Sequence, residues 1–366
     1  MLHFTNRMLT MGSLLLLAMP VKADDPSFLS TLHNVITLSS AVPANGDVNP
    51  YGVAVVPVTK GALVANSVLV SNFNNSGNLQ GTGTTIVQIS PGGALTLFAQ
   101  IDAKSLPGAC PGGVGLTTAL VALRSGFVIV GSLPTKDGMA ATAQAGCLII
   151  LNSSGQTIGT LSGNGINGPW DMTAADMGNA AVLFVTNVLN GTVAATGSVV
   201  SHGSVLRIVL SIPMGGTPTV ASLTTIASAF DERTDPAALV IGPTGLGLGA
   251  DGTLFVADTL QSRIAAIPDA LHRTADAGAG ATVAEGRALK QPLGLAIAPN
   301  GNILTVNGGN GLMVETTPGG SQVGARFVDV SHSRNGAGTL FGLAVAPNGS
   351  GVYFVDDGNN TLNNLK

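Results

Sequence analysis

The chain has 366 residues, only 9% of them charged and 45% hydrophobic, with 15 Lys and Arg against 19 Asp and Glu for a formal charge of −4. A typical globular chain carries about 25% charged residues, and the few cations here are scattered. That excludes a phosphate-tracking nucleic-acid surface or a polybasic membrane patch, which need clustered Lys and Arg, and intrinsic disorder, which needs high charge and low hydrophobicity.

At the N-terminus, Met1 to Arg7 is followed by an apolar stretch from Met8 to Pro20 and by Val21-Lys22-Ala23 before Asp24-Asp25. A basic start, an apolar run too short to span comfortably and small residues before a polar break describe a secretory signal peptide, with an uncleaved anchor as the rival. Residues 1–23 are thus expected to be removed, leaving residues 24–366 as an exported chain, periplasmic or extracellular. Losing Arg7 and Lys22 and no acid takes the formal charge from −4 to −6. No later apolar run is long enough for a bilayer, so no stable membrane insertion is expected after cleavage.

Further along, short Val, Ile and Leu runs alternate with Gly, Asn, Asp and Pro, the pattern of many short strands and tight turns. A strand-like Val35-Ile36-Thr37-Leu38 comes first. A unit then recurs, clearest at Pro243-Thr244-Gly245-Leu246 through Leu254-Phe255-Val256-Ala257-Asp258. It returns at Pro292-Leu293-Gly294-Leu295 through Val306-Asn307, and at Leu340-Phe341-Gly342-Leu343 through Val355-Asp356. Degenerate copies start at Pro50, Gly113 and Pro169, so six starts lie roughly 50 to 75 residues apart. Each copy reads as strand, tight turn, strand, with turns such as Asp251-Gly252 and Asn300-Gly301 suited to two-residue hairpins. Two outer strands follow. Gly-x-Gly-x-Gly and Gly-x-Ala-x-Ala leave the first strand little side chain, as a crowded innermost strand requires.

These repeats predict an all-β, six-bladed β-propeller of four-stranded antiparallel blades in one domain over residues 24–366. Ring closure needs an outer strand from elsewhere, and the segment from Asn34 to Val42 is expected to supply it. The long connections Asn72–Gly83, Leu133–Gly146 and Asn187–Gly203 then gather on one face, where binding groups are expected. The ends of strand two place Asn72, Asn187, Asp258, Asn307 and Asp356 at equivalent points. Such a ring of oxygen-bearing side chains could bind Ca²⁺, or could simply cap strands and turns. The starts of strand one present Tyr51, Val114, Trp170, Thr244, Leu293 and Phe341, either an apolar platform for a ligand or packing around the axis. Arg233, in Asp231-Glu232-Arg233-Thr234-Asp235, could clamp a carboxylate or pair locally. Cys110 and Cys147 fall within the second repeat; export makes a disulfide chemically possible, and their separation in space is not legible from sequence.

Pro-x-Gly-Leu, the Asp/Asn-Gly turn, Leu254-Phe255-Val256-Ala257-Asp258-Thr259-Leu260 and Arg263-Ile264 closely resemble the NHL repeat, most fully in the fourth copy and weakly in the first three. Longer strings, Gly77-Asn78-Leu79-Gln80-Gly81-Thr82-Gly83 and Arg233-Thr234-Asp235-Pro236-Ala237-Ala238-Leu239-Val240, resemble an exported bacterial family of unassigned activity. Related propellers include the gluconolactonase-like proteins, and that resemblance implies a divalent metal held by acidic and Asn side chains, several just before the Gly of strand one. The matching positions here are Tyr51, Val114, Trp170, Thr244, Leu293 and Phe341, none a strong anionic ligand, with Asp171 shifted by one place. Lyase-type relatives use His around the axis, whereas His33, His202, His272 and His332 all lie away from the strand-one starts. The chain is therefore expected to be a monomeric, non-catalytic binding or interaction module acting through its loop-rich face on a small molecule, glycan or protein. No cofactor is expected. The alternative is a metal-dependent hydrolase or lyase of the gluconolactonase type, using the Asn/Asp ring with Asp171 and Arg233.

Overall fold

The computed structural model describes residues 27–331 and 338–366, and among them 25 strands form six antiparallel sheets. The expected signal peptide lies outside the described residues. Strand β1 (Val35–Ser40) precedes the blades. The first blade is β2 (Val48–Val55), β3 (Val68–Asn74), β4 (Thr85–Ile89) and β5 (Leu95–Gln100). The second is β6 (Leu116–Ala122), β7 (Val128–Ser132), β8 (Cys147–Leu151) and β9 (Thr157–Leu161). The third has five strands rather than the expected four: β10 (Pro169–Asp176), β11 (Ala180–Asn187), β12 (Val200–Ser211), a 17-residue β13 (Thr219–Asp235) and the short β14 (Leu239–Ile241). The fourth is β15 (Pro243–Leu248), β16 (Leu254–Asp258), β17 (Arg263–Ile267) and β18 (Ala281–Glu285). The fifth is β19 (Pro292–Ile297), β20 (Ile303–Asn307), β21 (Leu312–Thr316) and β22 (Gln322–Phe327). The sixth is β23 (Leu340–Val345), β24 (Val352–Asp356) and β25 (Thr361–Leu365), completed by β1.

The ring closes as expected. β1 runs antiparallel to β25, from Val35 opposite Leu365 to Ser40 opposite Thr361. This gives the sixth blade its fourth, outermost strand and joins the segment before the first blade to β25 in one sheet. A second clasp lies beside it. Glu315 on β21, fully buried, accepts hydrogen bonds from Ser27 Oγ (2.6 Å), Phe28 N (2.9 Å) and Leu29 N (2.8 Å), and from the Asn300 and Asn302 amides. Leu29 and Leu32 bury against Met313, Val328 and Phe354, between the fifth and sixth blades.

The core is divided among seams. Each pair of neighbouring blades encloses its own apolar cluster, such as Phe184, Phe230 and Leu246 between the third and fourth. The innermost strands β2, β6, β10, β15, β19 and β23 pack one against the next around the axis. Their glycines permit that approach: a Cβ on Gly294 would collide with the Phe341 carbonyl, and one on Gly342 with the Tyr51 carbonyl. The turns differ in detail from expectation. At Gly249–Thr253, Gly252 N donates to Gly249 O and only Gly252 has positive φ (+82°), so Asp251 precedes a left-handed glycine in a longer hairpin loop.

Candidate functional site

The side chains expected to form a ring at the ends of strand two are each held within their own surroundings. Asn72 is buried and donates from Nδ2 to Ala41 O (3.0 Å) and Thr85 Oγ1 (3.2 Å). Asn187 accepts from Asn167 N, and Asn307 donates to Ala288 O (2.7 Å) and Asn310 Oδ1. Asp258 pairs with Arg263 at 2.8 Å; burial raises its pKa and the guanidinium partly offsets this. Asp356 accepts from the backbone N–H groups of Val330, Ser331 and Gly358. Burial, followed by the neighbouring Asp329, lifts its pKa to about 6. These are the bonds of strand and turn capping. No group of three or more His, Cys, Asp and Glu among the described residues is arranged to hold a metal ion.

The strand-one aromatics are likewise committed to packing. Tyr51 stacks on Phe73 (centroids 4.4 Å) and Phe341 (3.8 Å), with Trp170 at 6.4 Å from both Tyr51 and Phe341. Over this cluster lies the segment leading from β13 into β14. Ala238, Leu239, Val240 and Ile241 are all buried, and Trp170 Nε1 donates to Val240 O (3.1 Å). Leu239 sits at φ +62°, a conformation that costs a branched residue about 1–3 kcal/mol and is retained here by the surrounding packing. The axis is therefore stoppered on the loop-rich face. Arg233 pairs with Asp235 (3.0 Å) and donates to Thr234 O, the local arrangement.

The positions at which the gluconolactonase-like resemblance implies metal ligands thus hold buried aromatic and aliphatic side chains and Thr244, whose hydroxyl contacts Thr259 Oγ1 (2.7 Å). This donor set does not fit a divalent ion. Asp171, expected on the loop-rich face, faces the axial channel beneath the stopper instead. One carboxylate oxygen accepts from Leu246 N (3.1 Å), and burial raises its pKa to about 8. The sequence places Asp171 one residue from Trp170, and alternation along β10 sends the two side chains in different directions. Cys110 and Cys147 form a disulfide with Cα atoms 5.1 Å apart.

What the loop-rich face does carry is a polar recess of about 540 Å³ between the first and sixth blades. Asn49 and Asn74 enter it from the same end of the β2–β3 pair, Asn78 and Gln80 from the following loop, and Asp357 from the end of β24. Hydrogen bonds brace its walls: Asn74 Nδ2 to Asn78 Oδ1 (2.7 Å), Asn49 N to Asn360 Oδ1 (2.7 Å) and Gln80 Nε2 to Pro236 O (2.8 Å). Asn49 Oδ1, Asn74 Oδ1 and Gln80 Oε1 are buried and have no donor among the described residues. Burial, then the Asp356 and Asp329 carboxylates, push the Asp357 pKa to about 8. The Tyr51 hydroxyl lies near the Asn49 side chain without a hydrogen bond of good geometry; burial and Asp357 hold its pKa well above the ordinary value. None of the residues lining the recess was singled out from sequence as a site residue, although the Asn72–Gly83 connection that supplies Asn74, Asn78 and Gln80 was expected on the binding face. The available signal was the density of Asn and Gln between Asn72 and Gln80.

No protein-family model matches the sequence, and no curated protein matches it. The fold is similar to a gluconolactonase from Xanthomonas campestris, at 14% identity over 90% of this chain and 88% of that one, with a TM-score of 0.56. It is also similar to the PQQ-bound aldose sugar dehydrogenase of Streptomyces coelicolor, at 15% identity over 90% and 97%, with a TM-score of 0.54. A third similar structure is the calcium-binding protein regucalcin of Agrobacterium tumefaciens, at 12% identity over 89% and 94%, with a TM-score of 0.53. At these identities the likeness is one of fold, a six-bladed β-propeller, and three differently described proteins share it.

Proposed function

We propose that this protein is an exported binding module that holds a small, hydroxyl-rich ligand, such as a sugar unit, in the recess between its first and sixth blades. The observation that carries this reading is the concentration of amide side chains on the recess wall, Asn49, Asn74, Asn78 and Gln80, three of whose oxygens have no donor among the described residues. A buried acceptor without a donor costs about 1–3 kcal/mol, and amides that turn toward ligand hydroxyls in the recess would relieve that cost. A hard cation is the other chemical complement. Asp357 is the one carboxylate lining the recess among the described residues, and calcium affinity depends on the number of charged ligands. Neutral hydroxyl donors suit this wall better.

The reading leaves catalysis aside, because the strand-one positions implied by the gluconolactonase-like resemblance are packed aromatics and aliphatics. The test is calorimetric titration of the mature chain with a panel of monosaccharides and with Ca²⁺, alongside assays of lactone hydrolysis. The expected result is saturable binding of at least one sugar, lost in Asn74→Ala and Gln80→Leu, with no turnover. Absence of sugar binding, or lactone hydrolysis abolished by chelator, would overturn it.

A further inference from the structure

The axial channel has no part in that reading. The first strands of the blades line it, and their exposure changes along their length. β10 runs from four buried residues to four half-buried ones, and β19 and β23 each from four buried to two half-buried. The buried ends lie beneath the aromatic stopper and the half-buried ends meet the hairpin turns. The channel is thus a blind tunnel of about 330 Å³ open at the hairpin face. Polar and apolar surface line it about equally, the apolar part from residues such as Val55, Ala122, Ile297 and Ala344, while Leu120, Leu246, Leu295 and Leu343 close its inner end from the seams between blades.

Two polar groups interrupt that wall at the closed end. Asp171 is only 8% exposed, and no cation pairs with it among the described residues. Thr118, 4% exposed, lies beside the same tunnel, its hydroxyl buried and without a partner among the described residues. At the mouth stands Asp176, whose carboxylate is held by Arg124 N (2.6 Å) and Gly178 N (2.9 Å). Two acids line the tunnel and no Lys, Arg or His does, again among the described residues. A low-dielectric tube with acids alone concentrates negative potential along its length.

We propose that the axial channel is a second binding site, for a slender aliphatic amine that enters from the hairpin face and sets its ammonium group against Asp171. The apolar side chains of the wall take the alkyl chain, the Asp171 carboxylate accepts the ammonium protons, and Asp176 guides the cation in. Five residues of β10 separate the two acids, about 16 Å of strand, enough depth for a chain of several carbons. A buried carboxylate without a counter-charge retains a proton, as the raised pKa of Asp171 reflects, and a bound ammonium supplies the missing charge.

The test is titration of the mature chain with hexylamine and with hexan-1-ol as the uncharged control, followed by calorimetry and by thermal shift. Saturable 1:1 binding of hexylamine, at least tenfold tighter than hexanol, is expected. Asp171→Asn should remove the preference for the amine while retaining weak hexanol binding. Ala344→Phe, which fills the tunnel and leaves Asp171 intact, should abolish both, and it carries the test should Asp171→Asn fail to fold. Equal affinity for amine and alcohol, or undiminished hexylamine binding in either folded variant, overturns the proposal. Because the recess on the opposite face is untouched by these variants, sugar binding there is a separate readout.

Discussion

Glu315→Ala should unfasten the N-terminal clasp and with it the ring. In the folded chain this buried carboxylate accepts from Ser27 Oγ, Phe28 N and Leu29 N, so three of its five hydrogen bonds hold the segment that leads into β1. Hydrogen bonds to a charged group are worth about 1.5–3 kcal/mol each, and taking the low end because Ser27 and Phe28 are half-buried gives a loss of about 4–5 kcal/mol. For a chain of this size that corresponds to a fall in Tm of about 10 °C. The pH dependence has a definite sign. Burial by itself raises the Glu315 pKa, and the hydrogen bonds from Asn300, Asn302, Ser27 and Leu29 outweigh it, leaving the group below its ordinary value of 4.5. A carboxyl lowered in the folded state stabilises above its unfolded pKa, and that contribution is lost as pH falls through the folded value. The difference between wild type and variant should therefore be full at pH 7 and shrink below about pH 4. Scanning calorimetry at both pH values, with limited proteolysis to follow release of residues 27–40, measures it. A variant melting within about 2 °C of wild type at pH 7, with an equally protected N-terminal segment, would refute the reasoning.

Two further outcomes follow from buried features elsewhere. Replacing Cys110 and Cys147 by Ser removes a bridge across a sequence separation of 37 and should cost about 2–4 kcal/mol in urea unfolding, with dithiothreitol lowering wild-type stability to match; insensitivity to the reductant contradicts this. Burial comes first among the causes that raise Asp171, Glu232 and Asp357 to about 8, from ordinary values of 3.8, 4.5 and 3.8, so each holds a proton in the folded state that it has lost in the unfolded state between about pH 4 and 8. Their contribution to stability is complete below the unfolded pKa and declines with rising pH by about 1.4 kcal/mol per unit for each group, so Asp171→Asn should flatten the measured slope between pH 5.5 and 7.5 by that amount; an unchanged slope shows that Asp171 is not buried as described.

The blades were legible because they rest on local, repeated signals. Alternating apolar runs, a strand-one glycine that brings neighbouring backbones together and a turn glycine recur in the sequence, and each has one structural consequence. Closure by Val35–Ser40 was legible for a related reason: a ring with one blade short of a strand has a single remedy. The recess was not legible as a site: Gln80 lies in a loop and string that the sequence does single out, but Asn49 and Asp357 lie far from it in the chain, and only ring closure brings residues of the first and sixth blades together. The fate of the Asn/Asp ring was also hidden. Asn72 and Asp258 occupy equivalent places in the repeat, and whether their oxygens or amides turn inward depends on partners such as Ala41 O and Arg263.

The charged stretch Asp231 to Asp235 gives the third blade a long fourth strand and a fifth that the other blades lack. It extends β13, turns at Pro236 and returns as β14, laying Leu239 to Ile241 over the axial aromatics. That stopper separates the recess from the axial channel, so no ligand can pass between them along the axis. It also touches the recess directly. Gln80 Nε2 donates to Pro236 O, and Ala237 forms part of the recess wall. A ligand held by Gln80 would order the same loop that keeps Leu239 in its strained conformation. The loop that blocks the axis is thus the element through which an occupied recess would stiffen the centre of the ring.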